Sequence, residues 1–441
     1  MIRRAVTTEL IQWFQNPHAK PLLVRGARQV GKTWVCRRLG AEAQDFLEIN
    51  FEVEVSLRQV FEQYFGDPEK LVRNLESYFS REIVPGKTLL FFDEIQECPS
   101  AIMSLRYFFE KMPQCRVIAT GSLLEFALSE LGFPVGRVDF TWLHPLSFQE
   151  FLNALGVSTK DDPDVDAVAN PKLREALMIY LQIGGLPKVV ATWVETKSFL
   201  ECQNLLQNLA AAYRADFSKY ASRAKLEPVR IVFEQIPRLW GNVTKFSELT
   251  IDFRARELRE AINLLRWAGL LTTALHTKAN GVPLGAEASG THFKLFSLDV
   301  GLGNRLLGLK LGDPILVNEL IHRGGLMEQF VAQELRALSA WNEEPQLYFW
   351  QREKKSSQAE VDFVVARGPQ VVPIEVKSGE KGKAKSLGIF ISEKSSPFGL
   401  KLSMNGAYDR EVGASDCKPS SVIRVPLYRA FQAFRRYLSD I

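Results

Sequence analysis

The segment GARQVGKT, residues 26–33, lies near the start of this chain between two different local patterns. The apolar run Leu22–Val24 before it is typical of a short buried strand, and a helical pattern follows it. A G-x-x-x-x-G-K-T segment between a strand and a helix is the context that a phosphate-binding loop requires. Gly26 and Gly31 have no Cβ, so the backbone can wrap closely around oxygen atoms with its N–H groups pointing inward. A glycine-rich turn that matches by chance is the alternative.

A phosphate-binding loop predicts roles for its individual residues. Lys32 is predicted to contact the β- and γ-phosphates of a nucleoside triphosphate, and the Thr33 hydroxyl is predicted to bind Mg²⁺. The following helix adds the positive end of its dipole at the same place. The predicted ligands are ATP and Mg²⁺. The residues predicted to bind the nucleotide are Gly26, Ala27, Arg28, Gln29, Val30, Gly31, Lys32 and Thr33.

Two acidic side chains follow a second apolar run. Thr88–Phe92 is typical of a strand that is buried on both faces of a parallel sheet, and Asp93 and Glu94 come directly after it. Ligands of open α/β sheets bind at the carboxyl ends of the strands. We predict that Asp93 holds Mg²⁺, directly or through water, and that Glu94 polarises the water that attacks the γ-phosphate. An ordinary strand-to-loop boundary is the alternative.

Composition sets broad limits. The chain has 441 residues, of which 46% are hydrophobic and 24% charged, as in an ordinary globular protein of about three domains. A net charge of +4 does not by itself indicate nucleic-acid binding. The five cysteines have no zinc-type spacing, and no secretory signal or membrane-spanning run is present, so we expect a cytoplasmic protein.

A third buried strand, Arg116–Ala119, is followed by hydroxyl side chains. Thr120 or Ser122 could bind the γ-phosphate or the attacking water, or could cap the next helix. Further along, residues 157–171 are acidic and rich in turn formers, which predicts a linker. Gly184–Pro187 then interrupts a helical region, which predicts either a hinge or an ordinary turn between helices.

Residues 228–297 have the pattern of a winged helix, with three helices followed by a strand pair. Four arginines lie on the third helix and could contact the phosphates of DNA or RNA. Interleaved glutamates fit a helix packed within a protein assembly equally well. These arginines are Arg254, Arg256, Arg259 and Arg266.

The last part of the chain contains a second group of acidic residues. Glu328 lies on a predicted helix, Asp362 on a strand, and Glu375 and Lys377 share one face of the next strand. This order resembles the PD-(D/E)xK restriction-endonuclease-like fold, which implies that Glu328, Asp362 and Glu375 bind a metal and that Lys377 activates water. Polar positions on an ordinary hairpin are the alternative, and many relatives of this fold have lost catalysis.

Several segments together resemble a prokaryotic family of AAA+-type ATPases with a C-terminal domain of unassigned function. They are GARQVGKT, LLFFDEIQECP, IATGSLLEF and LHPLSFQEF. The resemblance implies that Thr120 or Ser122 is the sensor position and that Arg137 is a candidate arginine finger, which would require self-association. We expect an α/β protein with a P-loop NTPase core at 1–160, a helical lid at 161–222, a winged helix at 223–312 and a nuclease-like domain at 313–441.

We therefore predict a Mg²⁺-dependent ATPase, coupled to a winged helix and a nuclease-like module that acts on nucleic acid. The alternative is a regulatory switch in which the nuclease-like module is catalytically silent and binds protein.

Overall fold

A computed structural model gives the structure of this protein. It describes residues 2–130, 136–157, 171–313, 324–352, 359–378, 385–404, 409–415 and 418–438. The predicted linker falls almost wholly outside the described residues, as does Cys417. Within the described part of the chain, no helix combines the length and apolar character that crossing a membrane requires.

The N-terminal part is built on a five-stranded parallel sheet, which confirms the α/β prediction. Its strands, in the spatial order β2-β3-β4-β1-β5, are β1 (Leu22–Arg25), β2 (Asp45–Asn50), β3 (Thr88–Asp93), β4 (Arg116–Thr120) and β5 (Asp139–Trp142). The helices are α1 (Thr7–Gln15), α2 (Lys32–Gly40), α3 (Val55–Tyr64), α4 (Pro68–Phe79), α5 (Pro99–Lys111), α6 (Leu124–Glu130) and α7 (Phe148–Ala154).

Strand β3 is buried along its whole length because apolar clusters cover both faces of the sheet. Leu89 and Phe91 belong to one cluster, and Leu90 and Phe92 belong to the other. Successive side chains of a strand point to opposite faces, so four consecutive apolar residues supply both cores. This packing fixes the position of Asp93, the last residue of the strand.

Three helices follow the core: α8 (Pro171–Ile183), α9 (Pro187–Thr196) and α10 (Phe199–Tyr220). The break between α8 and α9 falls at the predicted glycines. Gly184 has a φ of +76°, and the Gly185 carbonyl accepts a hydrogen bond of 2.7 Å from the Leu146 amide. A Cβ on Gly185 would lie 2.1 Å from the Leu146 oxygen, so only glycine fits this close approach.

The region predicted as a winged helix has the expected order of elements. These are α11 (Leu226–Gln235), α12 (Phe246–Leu249), α13 (Ala255–Trp267), the antiparallel strands β6 (Leu271–Thr277) and β7 (Ala288–Ser297), and α14 (Val300–Leu306). The strand pair does not stand alone, because β6 also pairs in parallel with β8 (Leu347–Gln351). The segments 223–312 and 313–441 therefore share one sheet.

That second sheet has eight strands in the order β12-β13-β11-β10-β9-β8-β6-β7. The remaining elements of this part are α15 (Gly324–Leu338), β9 (Glu360–Arg367), β10 (Gln370–Lys377), α16 (Lys385–Lys394), β11 (Phe398–Ser403), β12 (Asp409–Ser415), β13 (Lys418–Pro426) and α17 (Ala430–Leu438). Strands β9 and β10, which carry Asp362 and Glu375, are antiparallel neighbours.

Helix α15 connects the two halves of the molecule through buried polar side chains. Gln329 bonds the backbone N–H and C=O of Ser297, and Glu334 accepts a 2.8 Å bond from the Phe148 amide in the core. Gln333 donates to the Tyr180 hydroxyl at 2.8 Å. Buried polar groups need such partners, so this helix holds the second sheet in a fixed position against the first.

Candidate active site

The loop between β1 and α2 is held in a conformation that requires glycine at two positions. Gly26 has a φ of +136° and Gly31 a φ of +94°. A Cβ on Gly26 would lie 2.3 Å from the Leu143 carbonyl oxygen. The loop begins at the end of a buried strand and ends at the first turn of α2, where the helix dipole favours an anion. Its position is the one predicted from the sequence.

Lys32 is buried at the base of this loop. Its Nζ donates to the carbonyl oxygens of Gly26 at 2.9 Å and Ala27 at 2.8 Å. Burial lowers the pKa of Lys32 to about 8, although Glu94 and Asp93 oppose the shift. A phosphate group beside the ammonium can replace the two carbonyls as its partner.

Asp93 connects the loop with the neighbouring strand β4. The Thr33 hydroxyl donates to Asp93 Oδ2 at 3.1 Å, and the Thr120 hydroxyl donates to Asp93 Oδ1. Burial raises the pKa of Asp93, and these two hydroxyls counteract the shift. A hydroxyl and a carboxylate are the hard oxygen ligands that Mg²⁺ prefers, so the donor set of Thr33 and Asp93 fits this ion.

Glu94 lies beside Asp93 with a left-handed φ of +49°. Its Oε2 accepts hydrogen bonds from Gln96 Nε2 at 2.8 Å and from the Ser122 hydroxyl at 3.2 Å. The two hydroxyls after β4 therefore serve different acids, since Thr120 contacts Asp93 and Ser122 contacts Glu94. The sequence did not indicate a role for Gln96, which orients the carboxylate from two residues away.

Lys32, Thr33, Glu94 and Ser122 line a cavity of about 660 Å³ that is large enough for a nucleotide. One wall also includes the loop residues Arg28, Gln29 and Gly31. The other walls come from elements that the motifs did not predict. Their lining residues include Ile2, Arg4, Trp34, Ala154, Pro187, Lys188, Ala191 and Val194. The break at Gly184–Pro187 thus places α9 over the cavity.

Arg4 is a buried cation that sequence reasoning missed. It donates to the Val30 carbonyl at 2.8 Å and to the His144 carbonyl at 2.7 Å, and it pairs with Glu150 at 3.0 Å. It thereby ties the N-terminal segment to the loop. A lone arginine before the first helix carries no recognisable signal in the sequence.

Arg28 joins the loop to the helical region. Its Nη1 bonds both carboxylate oxygens of Asp216, on α10, at 2.6 Å, and the Arg28 carbonyl accepts a 2.8 Å bond from the Tyr213 hydroxyl. The loop and α10 are therefore held together by a charge-assisted contact across 188 residues of chain.

Arg137, the candidate arginine finger, is not among the residues that line this cavity. It forms a 3.0 Å ion pair with Glu110 at the surface. A role for Arg137 in the site of a second subunit stays a prediction.

In the C-terminal part, the structure brings two of the predicted acidic side chains, Glu328 and Asp362, together with Glu360 around a buried lysine. Lys294, on β7, has 0% of its side chain exposed, and its Nζ lies 3.0 Å from Glu328, 2.7 Å from Glu360 and 3.8 Å from Asp362. Burial alone lowers the pKa of Lys294, but the surrounding carboxylates, Glu328 first, outweigh it and raise that pKa above its ordinary value. Lys294 stays charged.

Glu375 and Lys377 pair with each other at 2.6 Å, and Asp362 Oδ2 accepts a 2.7 Å bond from the Val376 amide. Within the described ranges, no group of three or more acidic, histidine or cysteine side chains is arranged to hold a metal ion. The position of Lys294 supplies a physical reason, because its ammonium already neutralises carboxylates predicted as metal ligands. Four lysines that flank these strands in the sequence and could contact a phosphate backbone, Lys354, Lys355, Lys381 and Lys383, lie outside the described residues.

Comparisons with known proteins agree with the geometry of the first site. Residues 18–152 match the AAA domain family, whereas residues 174–313 and 323–413 match two domains of unknown function, DUF8612 and DUF4143. No curated protein matches the sequence significantly. Residues 18–152 are therefore similar to AAA domains, in agreement with the position of the loop and the acidic pair.

Solved structures also resemble the chain. The Walker-type ATPase paby2304 of Pyrococcus abyssi aligns with a TM-score of 0.45 and 13% identity, covering 70% of this chain and 96% of that one. A katanin self-assembly structure aligns with a TM-score of 0.27 and 14% identity, covering 61% and 88%. Drosophila ORC bound to DNA aligns with a TM-score of 0.24 and 17% identity, covering 69% and 85%.

The lowered pKa of Lys32 predicts a pH-dependent affinity for ATP. Below about pH 8 the free protein carries the ammonium, and affinity is expected to change little. Above that pH, binding must restore a proton that the free protein has lost, so affinity is expected to fall by up to about tenfold per pH unit. Titration with a fluorescent ATP analogue from about pH 6.5 to about pH 9.5 measures this dependence.

The matched control is Lys32→Arg, because a guanidinium keeps its charge over this range. Whatever its absolute affinity, this variant should have a flatter profile above about pH 8 than the wild type. Identical profiles for the two proteins would contradict the assignment of the titrating group.

Proposed function

We propose that this protein is a Mg²⁺-dependent ATPase, in which binding and hydrolysis of ATP move the C-terminal part of the chain. One observation carries the proposal: Lys32, Thr33 and Glu94 line a single cavity, and Asp93 contacts both Thr33 and Glu94, on the loop and strand ends where phosphate chemistry needs them. No residue of this set is contributed by a neighbouring chain.

Each side chain has a definite task in this mechanism. The Lys32 ammonium exchanges the carbonyls of Gly26 and Ala27 for phosphate oxygens, while the loop amides position the triphosphate. Thr33 and Asp93 would hold Mg²⁺, which would neutralise part of the phosphate charge when bound. Glu94, held by Gln96 and Ser122, orients the attacking water and accepts its proton.

Phosphate release from ATP tests the proposal. The purified full chain should release phosphate in Mg²⁺ and should lose this activity in excess EDTA or as the Lys32→Ala variant. Lys70→Ala, which removes an exposed lysine on α4, is the matched control and should retain full activity. Turnover that survives both EDTA and Lys32→Ala would overturn the assignment.

In this proposal, residues 1–160 are the ATPase core, 161–222 are the lid, and 223–312 together with 313–441 move as one body because they share a sheet. The resemblance to a nuclease is then one of shape, and the module is catalytically silent. The support is Lys294. Its buried ammonium lies among Glu328, Glu360 and Asp362, where a catalytic metal ion would have to bind.

Incubation with plasmid, single-stranded DNA and RNA in Mg²⁺ or Mn²⁺ tests whether the module lacks nuclease activity. No cleavage is expected. Cleavage that disappears in both Asp362→Ala and Glu375→Ala would establish the nuclease instead.

Nucleic-acid binding without cleavage is a second candidate, and one observation favours it. Arg256 and Arg259 lie three residues apart on the exposed side of the first turns of α13, the exposed Arg254 directly precedes this helix, and the Arg256 side chain is 89% exposed. Exposed arginines on one helix face can contact phosphates. Binding to labelled DNA and RNA should weaken steeply as the salt concentration rises. It should also weaken in the double variant Arg256→Ala/Arg259→Ala. Binding that is absent or independent of salt would exclude this candidate.

A further inference from the structure

A second cavity, of about 290 Å³, lies between the ATPase core and the C-terminal part. We call it the interdomain cavity. Gly26 and Ala27 of the phosphate-binding loop line it, as do Gly121 and Leu123 from the segment after β4. Arg336, from α15, contributes to the wall on the C-terminal side. The nucleotide cavity is lined instead by Arg28, Gln29 and Gly31–Thr33 of the loop, so the two cavities contact different parts of it.

Arg336 is a buried cation without a counter-ion among the described residues. It is 9% exposed, and its one described hydrogen bond is to His144 Nδ1, at 3.3 Å. Burial lowers the pKa of His144 well below its ordinary value, so this partner is neutral. A buried charge is costly when nothing compensates it, and the described protein supplies no carboxylate to do so.

A second arginine lines the same cavity with an unused donor. Arg25 pairs with Glu125 at 3.0 Å through Nη1 and lies over the Phe140 ring. Its Nε is buried and has no hydrogen-bond partner. Two guanidinium groups therefore line one polar space with donor capacity that the described protein does not satisfy.

We propose that the interdomain cavity binds a small ligand through a phosphate or carboxylate group held by Arg336 and Arg25. Guanidinium groups bind such oxyanions through paired, charge-assisted hydrogen bonds. The charges of the wall limit the ligand to a low total charge, because Glu125 and the exposed Glu344 line the cavity together with Arg25, Arg336 and the exposed Arg266. Its volume suits a small metabolite rather than a nucleoside triphosphate. This site goes beyond the proposed ATPase function.

Thermal unfolding of the full chain tests the proposal. A non-hydrolysable ATP analogue with Mg²⁺ first saturates the nucleotide cavity, and inorganic phosphate or acetate is then added in separate arms. At least one anion should raise the Tm of the wild type by about 2 °C, and the arm that responds identifies the chemical class. Arg336→Leu should lose this response and, without anion, should melt no lower than the wild type, because it removes an uncompensated charge.

Arg73→Leu, a surface change on α4, is the control and should keep the response. The proposal fails if neither anion stabilises the wild type, if the response persists in Arg336→Leu, or if that variant melts lower without anion. Should Arg336→Leu not fold, wild-type crystals soaked in tungstate give the answer independently. An anomalous peak beside Arg336 supports the site, whereas tungstate found only in the nucleotide cavity overturns it.

Discussion

Glu94→Gln is expected to lower the kcat for ATP hydrolysis by roughly 10²- to 10⁴-fold, the range typical for loss of a general base. The amide has nearly the same size as the carboxylate, but it cannot accept a proton from the attacking water. The change should leave ATP affinity within about a few-fold of the wild-type value, because Glu94 acts on the water rather than on the nucleotide. Steady-state phosphate release and analogue titration measure the two quantities separately.

Glu97→Gln is the matched control, since Glu97 lies three residues further along on the exposed side and pairs with Arg58 at 3.6 Å. It should retain wild-type turnover. If Glu94→Gln hydrolyses ATP at the wild-type rate, Glu94 is not the base and the acid pair after β3 has been misassigned.

Lys294→Met is expected to have the largest effect on stability, a loss of about 3–5 kcal/mol in the free energy of unfolding at neutral pH. The substitution removes the ammonium and leaves Glu328, Glu360 and Asp362 facing one another. Burial already raises the pKa of Glu328 and of Asp362, and loss of the cation would raise both further. Denaturant unfolding measures the change.

The pH dependence of this loss has a definite sign. An acid whose folded-state pKa is raised binds more protons in the folded than in the unfolded state, so stability falls as pH increases. The defect of Lys294→Met should therefore shrink as pH decreases and the carboxylates become protonated. At neutral pH, adding Glu328→Gln should restore part of the lost stability, because it removes one of the uncompensated charges.

Lys245→Met, at an exposed lysine before α12, is the control and should change stability by less than about 0.5 kcal/mol. A Lys294→Met protein as stable as this control would mean that the ammonium is not what holds the cluster. If Mg²⁺ instead stabilised that variant by binding at a new metal site, the hypothesis of a metal-dependent nuclease would be supported.

The arrangement of the candidate nucleotide site was largely predictable because its residues lie in a few short segments. Gly26–Thr33 is one continuous segment, and the acidic pair lies at the end of a strand whose burial is visible in its composition. Parallel strands of one sheet end at the same edge, so two separate segments could be placed together without knowing the rest of the fold.

The groups that surround this site were not predictable, since they come from distant parts of the chain. Arg4 contacts Glu150, and Arg28 contacts Asp216, through pairings that no local pattern records. Lys294 was missed for a related reason. It lies on a strand predicted to belong to the strand pair of a winged helix, and only the pairing of β6 with β8 brings that strand into the sheet that carries Asp362.

A crystal structure of the full chain with a non-hydrolysable ATP analogue and Mg²⁺ tests the central claim most directly. The account predicts phosphate oxygens bound by the amides of Gly26–Thr33, with Lys32 turned from the Gly26 and Ala27 carbonyls to the phosphates and the metal between Thr33 and Asp93. An analogue bound elsewhere, or a loop left without nucleotide at saturating concentration, would contradict it.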